Sequence, residues 1–176
     1  MLARAFEDDP VLEWLFPRPA RRRRGAHRMF STRLTQLIGQ EQVYTTDDRA
    51  GAAIWALPGH WHASGRETLE LARIVLGPRL PILFSGLQRV DGAHPRQPRH
   101  FYLAVLGVDP SKQGHGLGSA LLQPVLDLCD SERLPAYLES SKERNVDFYA
   151  RHGFRVTSEL RLPKGPSMWP MWRSPH

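Results

Sequence analysis

The run Val108-Asp109-Pro110-Ser111-Lys112-Gln113-Gly114-His115-Gly116-Leu117-Gly118-Ser119 constrains this chain more than any other stretch. It reads as an apolar strand, a turn, a loop with glycine at alternate positions, and the first turns of a helix. Glycines there let the backbone bend sharply and bring N–H groups close to a ligand with no Cβ in the way. The positive end of the following helix faces the same spot, so the segment is a candidate anion cradle. Spacing narrows the ligand. A P-loop requires Lys followed by Ser or Thr after its last glycine, and Gly118-Ser119-Ala120 does not supply it. A dinucleotide fingerprint counted from Gly114 and Gly116 puts Ser119 where a third small residue belongs, and too little chain follows to build a two-part nucleotide domain.

The spacing that fits is Gln-x-x-Gly-x-Gly, formed by Gln113, Gly116 and Gly118. It resembles the acetyl-CoA pyrophosphate loop of the GNAT superfamily of N-acetyltransferases. Downstream, Asn145-Val146-Asp147-Phe148-Tyr149 through Gly153-Phe154 is similar to that superfamily's Asn-x-x-Phe-Tyr-x-x-x-Gly-Phe signature. Within the superfamily, the span from Phe101 to Arg173 resembles the puromycin N-acetyltransferase-like subfamily. The segment Leu138-Glu139-Ser140-Ser141 and the tail Pro163-Lys164-Gly165-Pro166-Ser167-Met168-Trp169 carry that finer likeness. The resemblance implies an α/β fold: a central mixed, mostly antiparallel twisted sheet flanked by helices. It implies acetyl-CoA as co-substrate, no metal, and acetyl transfer to a primary amine of a small molecule. The alternative is a GNAT-fold protein that binds an acyl-CoA without turnover.

A chain of 176 residues suits one domain, taken here as 1–176, with 41% hydrophobic and 24% charged residues, both ordinary for a globular protein. No apolar run approaches the roughly 20 residues that cross a bilayer, and no signal peptide opens the chain, so no membrane partner is expected. The single cysteine, Cys129, lies in the apolar pattern of a helix, where packing is its expected role; one cysteine allows no internal disulfide and fits the cytoplasm. The net charge of +6 and the run Arg21–Arg24 raise a nucleic-acid reading. Interspersed acidic residues and the lack of an aromatic–basic motif argue against it, and the run is expected to be a solvated segment between helices.

Apolar spacing predicts two short helical pieces within Leu2–Phe16 and an amphipathic helix over His27–Ile38. A hairpin of Gln42–Thr46 and Ala50–Leu57 follows, then helices over Glu67–Leu76 and Leu80–Val90 separated by Gly77-Pro78. Ala93–Pro98 reads as a polar loop, and Phe101–Val108 as a strand buried on both faces. The helix from Gly116 contains Pro124, which removes a hydrogen bond to Ala120. A capping box at Ser140–Glu143 is expected to start the next helix, Gly153 to end it, and Phe154–Leu160 and Ser167–Arg173 to form two last strands. Members of the resembled superfamily usually begin with a strand, whereas this sequence opens at the helix that follows it, so either the start is truncated or the edge strand is missing; the edge left bare allows a homodimer.

The resemblance assigns the donor side of the site. Backbone N–H groups of Gln113, Gly114, His115, Gly116, Leu117, Gly118 and Ser119 hold the pyrophosphate. Leu106, Gly107 and Val108 pair with the pantetheine arm, the Val108 N–H faces the thioester oxygen, and Gly107 permits a bulge. Tyr149 is the general acid, with Asn145 beside it on the pantetheine. Glu139, closing a strand beside the cofactor channel, is a candidate general base; it is equally a structural carboxylate capping the next helix or bonded to backbone. His100 is a second candidate base, though a lone His at a strand start is more often a surface residue. His60, Trp61 and His62 are placed to line an acceptor pocket.

Overall fold

The computed structural model describes residues 1–62, 64–75 and 79–176, and of Arg66 and Glu67 the backbone alone. The expected break at Gly77-Pro78 and the helix end at Leu76 lie outside the described residues. The chain opens with helices α1 (Leu2–Ala5), α2 (Pro10–Leu15) and α3 (Pro19–Leu37). Strands β1 (Val43–Thr45) and β2 (Gly51–Ala56), helices α4 (Gly65–Val75) and α5 (Leu80–Ala93), and strand β3 (Phe101–Val108) follow. The remainder is α6 (Leu117–Ser131), β4 (Ala136–Ser140), α7 (Val146–Ala150), β5 (Arg155–Val156), β6 (Leu160–Arg161) and β7 (Ser167–Arg173).

One sheet runs β1-β2-β3-β4-β7-β5, with β6 paired to β7. β3 and β4 are parallel; every other pairing among the described residues is antiparallel. The fold is the expected mixed, mostly antiparallel sheet between helical layers. Trp55, Leu103, Leu122, Val125 and Tyr149 belong to the core under α6 and α7. Leu12, Phe30, Leu37, Ile54 and Val105 belong to the core under the first five helices. Cys129 is free and fully buried in the first of these cores, and burial pushes its thiol up to about 12, so packing is its role.

Several elements depart from the sequence expectation. α3 begins at Pro19 rather than His27 and takes in Arg21–Arg24. Pro suits the first helical position and Arg is a good helix former, so the basic run extends the helix instead of linking two. Arg22 ties that turn to the preceding segment, donating to the Phe16 and Glu7 carbonyls and to Glu13 Oε1. The capping box does not form, because Ser140 still belongs to β4 opposite Trp169 and its hydroxyl donates to the Lys142 carbonyl. The chain reaches α7 through a 3-10 turn at Glu143–Asn145. The strand expected over Phe154–Leu160 is split into β5 and β6, which pair with opposite ends of β7.

β3 is not uniformly buried. Its residues alternate between buried and half-buried along the whole strand. Its register against β2 slips by one residue, Ile54 facing Val105 and Trp55 facing Leu103, which leaves Ala104 as the extra residue of a bulge. Leu103 therefore packs in one core while Val105 packs in the other. Gly107 is not the bulge. A Cβ there would lie 2.8 Å from Leu2 Cδ2 and 2.9 Å from Phe6 Cε2, so its bare Cα lets α1 close onto the strand.

Candidate active site

The site begins where β3 and β4 part. They pair only at Phe101–Ala136 and Tyr102–Tyr137, then diverge, leaving β3 open along its β4-facing edge. The ladder fixes which amides face that gap. Asp109 N–H donates to the Ala50 carbonyl at 2.7 Å, which makes Asp109–Ala50 a hydrogen-bonded pair. Antiparallel pairs alternate, so Val108 opposite Gly51, and Leu106 opposite Ala53, turn their N–H groups away from β2 and into the gap. Gln113 Nε2 donates to the Val108 carbonyl at 3.1 Å and secures the loop to the strand end.

Beyond the strand, Gly114 and Gly116 hold φ of +80° and +79°, and a Cβ at either would meet nothing within 4 Å. The positive φ demands glycine, and the space before the loop is open. No backbone N–H from Gln113 to Ser119 finds an acceptor within the described residues; the first to do so is Ala120, bonded to the Gly116 carbonyl at 3.0 Å. An array of unspent donors at the start of a long helix has the chemistry to hold a pyrophosphate. Lys112, Arg144 and Arg151 line the same cavity and add positive charge.

This cavity, of about 450 Å³, is lined by Leu106, Gly107, Val108, Asn145, Tyr149 and Glu139, together with most of the glycine loop. His115 is the exception among the expected residues: its exposed ring turns back, with Nδ1 2.8 Å from the Gln113 carbonyl. Tyr149 is buried on α7 and packs edge-on to Phe148 and Phe154. Its hydroxyl makes no hydrogen bond within the described residues. Burial, then the charge of Asp9, pushes the phenol above its ordinary value, so it stays protonated.

A second cavity, of about 560 Å³, lies under the helices on the other side of Glu139. Its wall is largely apolar and aromatic, with Met29, Phe30, Trp61, Tyr102 and Met168 among its residues. Phe6, Asp9, Ala104, Val105, Glu139 and Ser141 line both cavities. Trp61 and His62 are in the second wall as expected from the sequence, whereas His60 is exposed and outside it.

Glu139 is where the cavities meet. Its side chain is 3% exposed, and Oε1 has no hydrogen-bond partner among the described residues. Neither helix capping nor a backbone bond to Oε1 occupies it. Burial, then the Glu139 charge, raises the phenols of Tyr102 and Tyr137 beside it. His94 Nδ1 lies 3.4 Å from Oε1. His100 is buried, not a surface residue: its Nε2 is 3.0 Å from Nε2 of His94, and burial lowers its pKa. Sequence reading missed His94, because it ends α5 inside a stretch that reads as polar loop, and only packing shows it buried against Trp61. It also missed Asp9, whose Oδ1 caps α2 from the Val11 and Leu12 N–H groups while Oδ2 accepts from Ser141. An Asp directly before Pro10 is a helix-start signal, but nothing local tells that it faces a cavity.

A mixed sheet opened between two parallel neighbours, with a glycine loop of free amides at its mouth, defines an acetyltransferase of the GNAT fold. The comparisons with known proteins agree. The acetyltransferase (GNAT) domain family matches residues 80–174, and this chain belongs to it. An uncharacterized N-acetyltransferase of Schizosaccharomyces pombe is 29% identical over 185 residues, spanning 97% of this chain and 74% of its own length. Among solved structures, a Corynebacterium glutamicum protein described as histone acetyltransferase HPA2 and related acetyltransferase superposes with a TM-score of 0.64 at 22% identity. That match covers 99% of this chain and 87% of the other. A Pyrococcus horikoshii protein gives 0.61 at 14% identity, covering 99% and 88%. At such identities these structures support the fold alone. The protein is thus an N-acetyltransferase, and its family implies acetyl-CoA as the co-substrate.

Proposed function

We propose that this chain transfers the acetyl group of acetyl-CoA directly to a primary amine of a small molecule, in the manner of puromycin N-acetyltransferase-like enzymes. The observation that carries the reading is the convergence of two cavities on one buried carboxylate, Glu139. The donor occupies the glycine-loop cavity. Free amides from Gln113 to Ser119 hold its pyrophosphate, and the inward N–H groups of Leu106 and Val108 hold the pantetheine arm, with Asn145 alongside. The Val108 N–H faces the thioester oxygen, where a preorganised donor lowers the barrier by about 3 kcal/mol. The acceptor occupies the apolar cavity, its amine toward Glu139 and its body against Trp61 and Tyr102.

An amine reaches neutral solution as an ammonium and must lose a proton before it attacks. Glu139, with an oxygen free at the junction, takes that proton. The nitrogen then bonds to the thioester carbon, the carbon–sulfur bond breaks, and Tyr149 supplies a proton to the departing sulfur. Release of free thiol from acetyl-CoA, measured over phenethylamine, puromycin, spermidine and a short peptide with a free N-terminus, tests the acceptor class. Turnover is expected with the two amines that carry aromatic bodies. Turnover confined to the peptide or to spermidine would refute the reading.

A further inference from the structure

Resting on the reading of Glu139 as the group that takes the acceptor's proton, we propose that His94 is a positioning residue that shares this proton, and that His100 sets the tautomer His94 needs. The ring nitrogens carry the argument. His100 Nδ1 is 2.8 Å from the Pro98 carbonyl, and a carbonyl only accepts, so Nδ1 bears the hydrogen and donates. Neutral His100 then presents a bare Nε2, 3.0 Å from Nε2 of His94. Two facing nitrogens share one hydrogen, so His94 Nε2 bears it and donates to His100. Nδ1 of His94 is left bare, and it faces Glu139 Oε1 across 3.4 Å. The buried chain from Pro98 to Glu139 therefore ends with an acceptor nitrogen opposite an acceptor oxygen, with no hydrogen between them. The orphaned Oε1 marks the gap. The proton given up by the amine fills it.

The surroundings suit a proton held between the two. The Trp61 ring stacks on His94 with centroids 3.5 Å apart and planes 12° apart and holds the imidazole in place. Tyr102 and Tyr137 meet the His94 ring edge-on at 4.8 and 4.7 Å and stay protonated. Among the described residues, Asp9 lines both cavities with Glu139. Arg33, from α3, lies 5.9 Å over the Tyr102 ring. His62 stacks on the far face of Trp61 and sits 3.7 Å from Asp91 of α5, where solvent screens both. Burial lowers the His100 pKa, with His94 adding to the lowering and the Pro98 carbonyl and Glu139 opposing it.

The protons balance. The ammonium R–NH3⁺ gives one proton to the Glu139–His94 pair and becomes R–NH2. The nitrogen bonds to the thioester carbon, the carbon–sulfur bond breaks, and the second proton passes to sulfur by way of Tyr149. The first proton leaves the pair when the amide departs and water reaches Glu139. Ammonium and thioester have become amide, thiol and a proton.

Nitrogen-15 NMR of the histidine-labelled protein tests the assignment without any substrate. In mildly alkaline solution, hydrogen is expected on Nε2 of His94 and on Nδ1 of His100. Kinetics give the second arm, with melting and acetyl-CoA binding measured as controls on each variant. His94→Gln is expected to lose about 10- to 100-fold in kcat with phenethylamine, and His100→Gln somewhat less, because a general base is worth about 10² or more. The acid limb of the His94→Gln profile moves to lower pH. Trifluoroethylamine, already neutral in solution, loses little in either variant. Hydrogen on His94 Nδ1 in the alkaline sample, or equal losses with both amines and an unmoved acid limb, overturns the proposal. If the wild type acetylates neither amine, the acceptor reading fails, and the ring-nitrogen spectra still decide the pairing by themselves.

Discussion

In the mechanism proposed above, Glu139 takes the proton of the amine and Tyr149 supplies one to sulfur, and their environments fit that division. Glu139 keeps an unpartnered oxygen where two cavities meet, while Tyr149 is buried among Phe148 and Phe154 and holds its proton. Tyr149→Phe is therefore expected to bind acetyl-CoA as the wild type does and to lose about 10²-fold or more in kcat. Isothermal titration and steady-state rates check both halves. Because burial lifts the phenol above its ordinary value, no loss of activity from its ionisation is expected on the alkaline side up to that ordinary value. At this scale the sequence was readable where chemistry is coded locally: Gln113, Gly116, Gly118 and Tyr149 stand in short motifs, and all line one cavity. His94 and His100 were not readable as a pair, since what joins them is a ring contact between the end of a helix and the start of a strand.

The elements show where periodicity succeeds and where packing overrides it. α6 and the hairpin follow their apolar patterns closely, and α6 runs through Pro124 without ending. The bulge at Ala104 is invisible in an unbroken apolar run, because either register buries the same residue types. Ser140 looked like a helix cap by spacing, yet strand pairing claimed it first. Gly107 illustrates the same limit: a glycine in a strand signals close approach, but whether by bulge, ligand or helix is settled only by its neighbours, here Leu2, Ala5 and Phe6. Gly107→Ala is expected to destabilise the fold by about 1–3 kcal/mol, the usual cost of overpacking, and denaturant unfolding reads it. Asp9→Ala removes the α2 cap and the acceptor of the Ser141 hydroxyl, with an expected loss of about 1–2 kcal/mol; Asp9→Asn retains most of the capping.

Across the whole molecule, the last strand is fastened to the helix layer by one ion pair. Arg173 donates twice to Asp130, at 2.8 and 2.7 Å, and its Nε donates to the His152 carbonyl. Hydrogen bonding from Arg173 holds the Asp130 carboxyl below its ordinary value. A lowered folded-state value means that the stabilisation is fully present above the unfolded-state value and fades as pH falls through the lowered one. Melting curves of the wild type and Asp130→Asn are therefore expected to differ at neutral pH and to converge in acid; the difference is modest, because solvent reaches the carboxylate. Legibility also divides along the chain. The glycine-loop cavity is built mostly from contiguous motifs of the second half, whereas the apolar cavity is gathered from α2, α3, α4, α5 and β7, which no local pattern unites.

Two-substrate initial rates distinguish direct transfer between two cavities that meet at Glu139 from transfer through an acetylated protein. With acetyl-CoA and phenethylamine varied together, direct transfer gives intersecting reciprocal plots, an acetylated amine by mass spectrometry, and a large loss of rate in Glu139→Gln with acetyl-CoA affinity kept. Parallel plots with an acetylated form of the protein, or Glu139→Gln turning over at the wild-type rate, would contradict it.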